Sequence, residues 1–142
     1  MKITPHLDDR ELACHDGTPY PPEWIESRAR PLAETFEVIR LAAGDLPIDV
    51  LSAYRPEAYN RKIGSTQDSQ HVQGRALDIR RRGWPASRLH TLIAGLYRGG
   101  KLPHLGGLGV YRTFVHFDVR PRPANNRLAR WSGARATAEA TT

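Results

Sequence analysis

The spacing of apolar residues changes period along this chain, and each change marks an element. Between Ser27 and Ala43, the residues Ala29, Leu32, Ala33, Phe36, Ile39 and Ala43 recur every three or four positions. That is the stripe of a helix burying one face, and Gly44 stands just past its end. A second helical stripe comprises Trp84, Leu89, Leu92, Ile93, Leu96 and Tyr97, with Pro85 at an N-terminal position and two glycines closing it. Elsewhere the period falls to two. Pro47 to Tyr54 alternates and predicts a strand that Pro56 forces out of the sheet. "RALDIR" predicts a short strand. "GGLGVYRTFVHFDVRP" predicts two more, with Val115, Phe117 and Val119 on one face and Phe114, His116 and Asp118 on the other.

The intervening segments carry turn chemistry. "EAYNRKIG" predicts a short helix ending at Gly64, "STQDSQHVQG" a polar loop, and the proline-rich stretch from Leu7 to Trp24 an irregular arm entering the first helix near Pro22 or Glu23. Helices and strands are segregated rather than strictly alternating. The expected class is therefore α+β: a small, mainly antiparallel sheet with flanking helices. The chain's 142 residues suit one domain, expected over residues 1–130, with a flexible tail over 131–142.

Composition narrows the function. No apolar run approaches the roughly 18 residues that a membrane-spanning helix needs. The N-terminal "MKITPHLDDRELACHDG" lacks the apolar centre of an export signal. The expectation is a chain that stays cytoplasmic until released, as in phage or prophage lysis, or that is exported by another route. A lone cysteine, Cys14, excludes an internal disulfide and a cysteine-based zinc knuckle, leaving His, Asp and Glu as possible ligands. The net charge of +6 favours an anionic partner such as nucleic acid, a membrane surface or bacterial cell wall.

The candidate chemistry centres on "DSQHVQGRALDIR". Gly74 between His71 and Asp78 disfavours one continuous helix and favours a loop running into a strand, with His71 on the loop and Asp78 on the strand. His116 in "FVHFD" could complete a set of three. Two histidines and a carboxylate form a known catalytic zinc arrangement, because three protein ligands leave a fourth position for water. On spacing alone, the same residues read more readily as hydrogen-bonded loop and strand groups than as a metal site.

The wider context adds a resemblance. "S-Q-H-V-Q-G-R-A-L-D" resembles the S-x-H-x-x-G-x-A-x-D signature of the zinc D-Ala-D-Ala carboxypeptidase family, matching it at Ser69, His71, Gly74, Ala76 and Asp78. That family is related to L-alanyl-D-glutamate endolysins and to the hedgehog fold. "SAYRPEAYN" upstream and "GLGVYRTFVHFDVR" downstream resemble the family's flanking blocks in the same order and spacing. The likeness spans about residues 6 to 120.

The resemblance implies zinc as cofactor, held by His71, Asp78 and His116, and a substrate carboxylate bound by Arg55, whose planar fork suits that partner. Ser69 matches a serine that contacts substrate or orients the ligand loop. Arg120 either adds positive charge to the substrate groove or pairs with Asp118. Many family members place an acid three residues before the last histidine, where Thr113 stands here, and a hydroxyl is no substitute for a carboxylate base. Asp118 is the leading candidate for the catalytic base, or else a partner that fixes the tautomer of His116. His104 and Asp68 are weaker alternatives for the base.

The implied function is a monomeric zinc metallopeptidase cutting amide bonds in peptidoglycan stem peptides or cross-links, of carboxypeptidase or endopeptidase type. A zinc-bearing but inactive cell-wall or peptide recognition module is the alternative. A third reading, a nucleic-acid-binding domain using "RRRGW" with Trp84 and Trp131 as stacking platforms, is disfavoured. No nucleic acid is expected as a partner: Arg80 to Arg82 read better as a solvated turn, and the tryptophans as core.

Overall fold

The fold was analysed in a computed structural model that describes residues 1–65 and 69–133. Its framework is a five-stranded sheet built from β3 (Asp49–Ser52), β4 (Ala76–Arg80), β5 (Gly107–Tyr111), β6 (Val115–Asp118) and β7 (Ala129–Gly133). The spatial order is β3-β4-β6-β5-β7. Every pairing is antiparallel except the one between β5 and β7. A two-stranded ribbon of β1 (Lys2–Thr4) and β2 (Leu7–Asp8) precedes the first helix. The class is α+β with a small, mainly antiparallel sheet, as the segregation of periods predicts.

Among the described residues three α-helices complete the fold: α1 (Arg30–Ala42), α2 (Glu57–Lys62) and α3 (Ala86–Arg98). The entry to α1 is stepped. A 3₁₀ turn over Pro22–Trp24 and one π turn over Ile25–Ala29 lead into regular helix. Leu32, Phe36 and Ile39 of α1 and Leu89 and Ile93 of α3 pack in one core with Leu77, Ile79, Leu108, Val115 and Phe117 from the sheet. Leu77, Phe117 and Leu108 stand opposite one another across β4, β6 and β5, so alternation places them on a single face. This face takes the helices. Among the described residues, no helix is long and apolar enough to cross a membrane.

Three expectations change. The N-terminal arm is not wholly irregular, because it opens with β2, paired to β1 just upstream, and a 3₁₀ turn over Asp9–Leu12 capped by Asp8 and Glu11. The tail expected from residue 131 begins with three residues of β7, so the sheet continues through Gly133; residues 134–142 lie outside the described residues. Trp131 consequently sits on the sheet and outside the hydrophobic core, which Trp84 does pack against. In the "RRR" run, Arg80 and Arg82 are exposed and pair with Asp49, while Arg81 folds back to donate to the Ala43 carbonyl at the end of α1.

Candidate metal centre

The other face of the sheet carries the chemistry, and strand register builds it. Ser52, Asp78, His116, Gly109 and Trp131 stand opposite one another on β3, β4, β6, β5 and β7, forming one row across all five strands. Ala76, Asp118, Gly107 and Ala129 form the adjacent row on the same face. Two positions separate the rows along each strand, so their side chains project together.

His71 reaches this face from the loop before β4. Ser69 Oγ accepts from the His71 backbone N–H at 3.2 Å, and the Arg55 backbone N–H donates to the His71 carbonyl at 3.2 Å. The Tyr20 hydroxyl donates to the Gly74 carbonyl at 2.6 Å, and Arg28 Nη1 donates to the Gln73 carbonyl at 2.9 Å. Gly74 has φ +68°, and a Cβ there would lie 2.8 Å from the Trp24 ring and 2.9 Å from the Tyr20 hydroxyl. Both backbone conformation and space therefore require glycine at that point of the motif.

His71, Asp78 and His116 converge with their ligand atoms all within 4.8 Å of one another, and all three are buried. Asp78 Oδ1 lies 3.1 Å from His71 Nε2 and 3.0 Å from His116 Nδ1. The outward nitrogens are held as well. His71 Nδ1 lies 2.6 Å from the Ala53 carbonyl oxygen, which can only accept, so the proton is on Nδ1 and Nε2 presents a lone pair inward. His116 Nε2 lies 2.7 Å from Asp118 Oδ2 and donates to it, leaving Nδ1 to face the cluster.

Electrostatics bear on the same point. Burial pushes the His71 imidazole below its ordinary pKa, against the opposing pull of Asp78. Burial alone would raise Asp78, yet the two histidines hold its carboxyl well below the usual range. Burial would also lower His116, but its bonds to Asp118 and Asp78 prevail and push it up to about 9, so at neutral pH its Nδ1–H donates to Asp78 and a cation would have to displace that proton. A neutral His71 thus aims a lone pair at an ionised carboxylate oxygen 3.1 Å away, and two acceptors with no proton between them are what a cation would bridge. Two imidazoles, each steadied from outside, and one carboxylate suit zinc in both donor type and number.

Asp118 is fully buried, and its oxygens are occupied. Oδ1 accepts from the Arg120 backbone N–H at 3.1 Å and from Arg120 Nε at 2.9 Å; Oδ2 accepts from Arg120 Nη2 at 2.8 Å and from His116 Nε2 at 2.7 Å. Burial would raise its carboxyl, but Arg120 and His116 hold it well below the usual range. Both carboxylate oxygens are thus engaged, one of them by the His116 ring nitrogen that faces away from Asp78. Gly107 makes this possible, since a Cβ there would collide with the Asp118 carboxylate.

The other predicted residues divide. Arg55 is buried, and its charge is one of the influences that lower His71. Arg120 pairs with Asp118. Thr113 is exposed in the tight turn between β5 and β6, closed by the Tyr111 N–H donating to the Phe114 carbonyl at 3.0 Å. His104 lies apart from the cluster, 3.4 Å from Glu34 of α1. Asp68 lies outside the described residues.

Sequence reasoning missed Trp131 at this site. Its ring centroid is 5.0 Å from that of His116, its Nε1 donates to the Tyr111 hydroxyl at 2.7 Å, and Arg120 lies 5.3 Å from its ring. A Cβ on Gly109 would collide with the indole. The available signal was one large aromatic in an otherwise polar tail, paired with a small residue in "GLG".

A family model described as Peptidase M15 matches residues 5–118. No curated protein matches the chain.

Proposed function

The chain belongs to the peptidase M15 family, and on that premise we propose that it is a zinc metallopeptidase hydrolysing amide bonds in peptidoglycan stem peptides or cross-links. The observation that carries the metal is the inward pair of His71 Nε2 and Asp78 Oδ1, with His116 Nδ1 beside them and the outer imidazole nitrogens engaged by Ala53 and Asp118. A zinc ion held by His71, Asp78 and His116 supplies Lewis acidity toward water and the amide carbonyl.

The chain's own residues do the rest. Arg55, buried beside the His71 loop, holds a substrate carboxylate. Ser69 sets the loop through the His71 N–H. Asp118, itself clamped by Arg120, holds His116 in the tautomer that turns Nδ1 inward, and so acts as a positioning residue. Four hydrogen bonds and a depressed pKa make Asp118 a poor proton acceptor.

That last point supports a second reading. Thr113 sits at a turn tip, Asp118 is committed and His104 lies apart, so among the described residues none of these supplies a free base beside the cluster. A metal-bearing module that recognises wall peptides without cutting them fits this arrangement. Mass spectrometry of muropeptides after incubation with the metal-loaded chain and with His71→Ala separates the two. The peptidase reading expects new amine termini with the wild type and none with His71→Ala. Zinc bound with no bond cut would leave the recognition module.

A further inference from the structure

On the opposite side of the sheet, between the end of α1 and the first turns of α3, lies a cleft of about 520 Å³ lined by Gly44, Arg81, Trp84, Arg88, Thr91 and Leu92 among others. Its charges are one-sided. Among the described residues no carboxylate lines it. The neighbouring acids are occupied elsewhere: Asp49 pairs with Arg80 and Arg82, and Asp45 with Arg40. Arg81 and Arg88 form no ion pair among the described residues.

Both guanidiniums are held in place. Arg88 lies 3.9 Å and Arg81 4.8 Å from the centroid of the Trp84 ring. Arg81 also donates from Nε to the Ala43 carbonyl at 3.1 Å and from Nη1 to the Arg82 carbonyl at 2.7 Å. Gly44, with φ +109°, leaves the room that Arg81 uses, since a Cβ there would come within 3.3 Å of its Nη2. Stacked and tethered cations lose less freedom on binding than free surface side chains. Ala42, Ala43 and Leu92 add an apolar wall, with the Thr91 side chain beside them.

We infer that this cleft is a second binding site, taking an oxyanion, phosphate or carboxylate, borne on a cell-wall glycopolymer, and that it holds the chain on an insoluble substrate while the metal face works. The inference rests on the peptidoglycan reading for its choice of polymer. Charge complementarity selects the ligand class: two fixed guanidiniums with no opposing acid, on a chain of net charge +6. The apolar wall beside them suits a sugar body rather than a bare ion.

Arg88→Glu is the test variant, because Arg88 is exposed and outside the metal site. The full chain is co-sedimented with insoluble peptidoglycan carrying its attached anionic polymers, once metal-loaded and once with chelator. Arg88→Glu is expected to weaken binding about tenfold or more in both states, with an unchanged melting temperature and unchanged cleavage of soluble muropeptides. Acid removal of phosphate polymers and amidation of wall carboxylates identify the source: at least one treatment should weaken the wild type to the level of the variant. Equal sedimentation of variant and wild type, or no effect of either treatment, overturns the inference. So does a loss confined to a DNA oligonucleotide, which would assign the cleft to nucleic acid. Because the chelated arm measures binding without hydrolysis, a chain that cuts no peptide bond still gives a decisive answer here.

Discussion

The two faces of β4 and β6 are made from alternate residues of the same short strands, yet different forces hold them. Leu77, Ile79, Val115 and Phe117 face the helices and are fully buried among apolar neighbours. Asp78, His116 and Asp118 are nearly as buried, but on the opposite face their environment is charge and hydrogen bonds. The first face gains stability by leaving water. The second incurs a desolvation cost, which its hydrogen bonds and ion pairs, together with the proposed cation, must offset. Burial of one face therefore specifies the fold, and burial of the other prepares the chemistry.

The contrast can be tested from either side. The largest effect belongs to the helix-covered face. Phe117→Ala should cost about 3–5 kcal/mol of unfolding free energy, and by the same amount with or without chelator, as denaturant titration would show. On the site face, Asp78→Leu should instead abolish the metal-linked part of stability. For the wild type at a free zinc concentration about a thousandfold above Kd, that part is about 4 kcal/mol; for the variant, adding chelator should leave the melting temperature unmoved.

A smaller effect separates positioning from ligation. Asp118→Asn should retain zinc but weaken it by about 10–100-fold, as loss of an outer partner to a ligating histidine does, with the affinity read by chelator competition. Binding at wild-type strength would show that the His116 tautomer needs no help from Asp118. The smallest effect concerns Thr113. Thr113→Ala, at an exposed turn, should change stability by no more than about 0.5 kcal/mol and leave the kcat for soluble muropeptides unchanged. A large fall in kcat with a normal melt would restore this position to the chemistry.

Much of this was legible in the sequence because it is local. The stripes of α1 and α3 repeat often enough to show which face is buried, and "HVQGRALD" compresses loop, glycine and strand into a few residues. The distance from Asp78 to His116 along the chain could not show that they are directly opposed on adjacent strands, and the resemblance supplied the link. Elements without a period stayed hidden. β2 is two residues long, and "ARWSG" has too little alternation to announce a strand that pairs in parallel with β5. Trp131 was missed with it. The surroundings of Asp118 were hidden for the same reason: its four hydrogen bonds exist because Gly107 lies opposite and Arg120 folds back.

The central claim is that His71, Asp78 and His116 form one metal site. Its most direct test is calorimetric titration of zinc into the chelator-stripped chain, with His71→Ala as the control. The account predicts one zinc per wild-type chain, and binding lost or weakened at least about a thousandfold in a His71→Ala variant that still folds. A folded wild type that takes up no zinc, or a His71→Ala variant that binds it equally well, would contradict it.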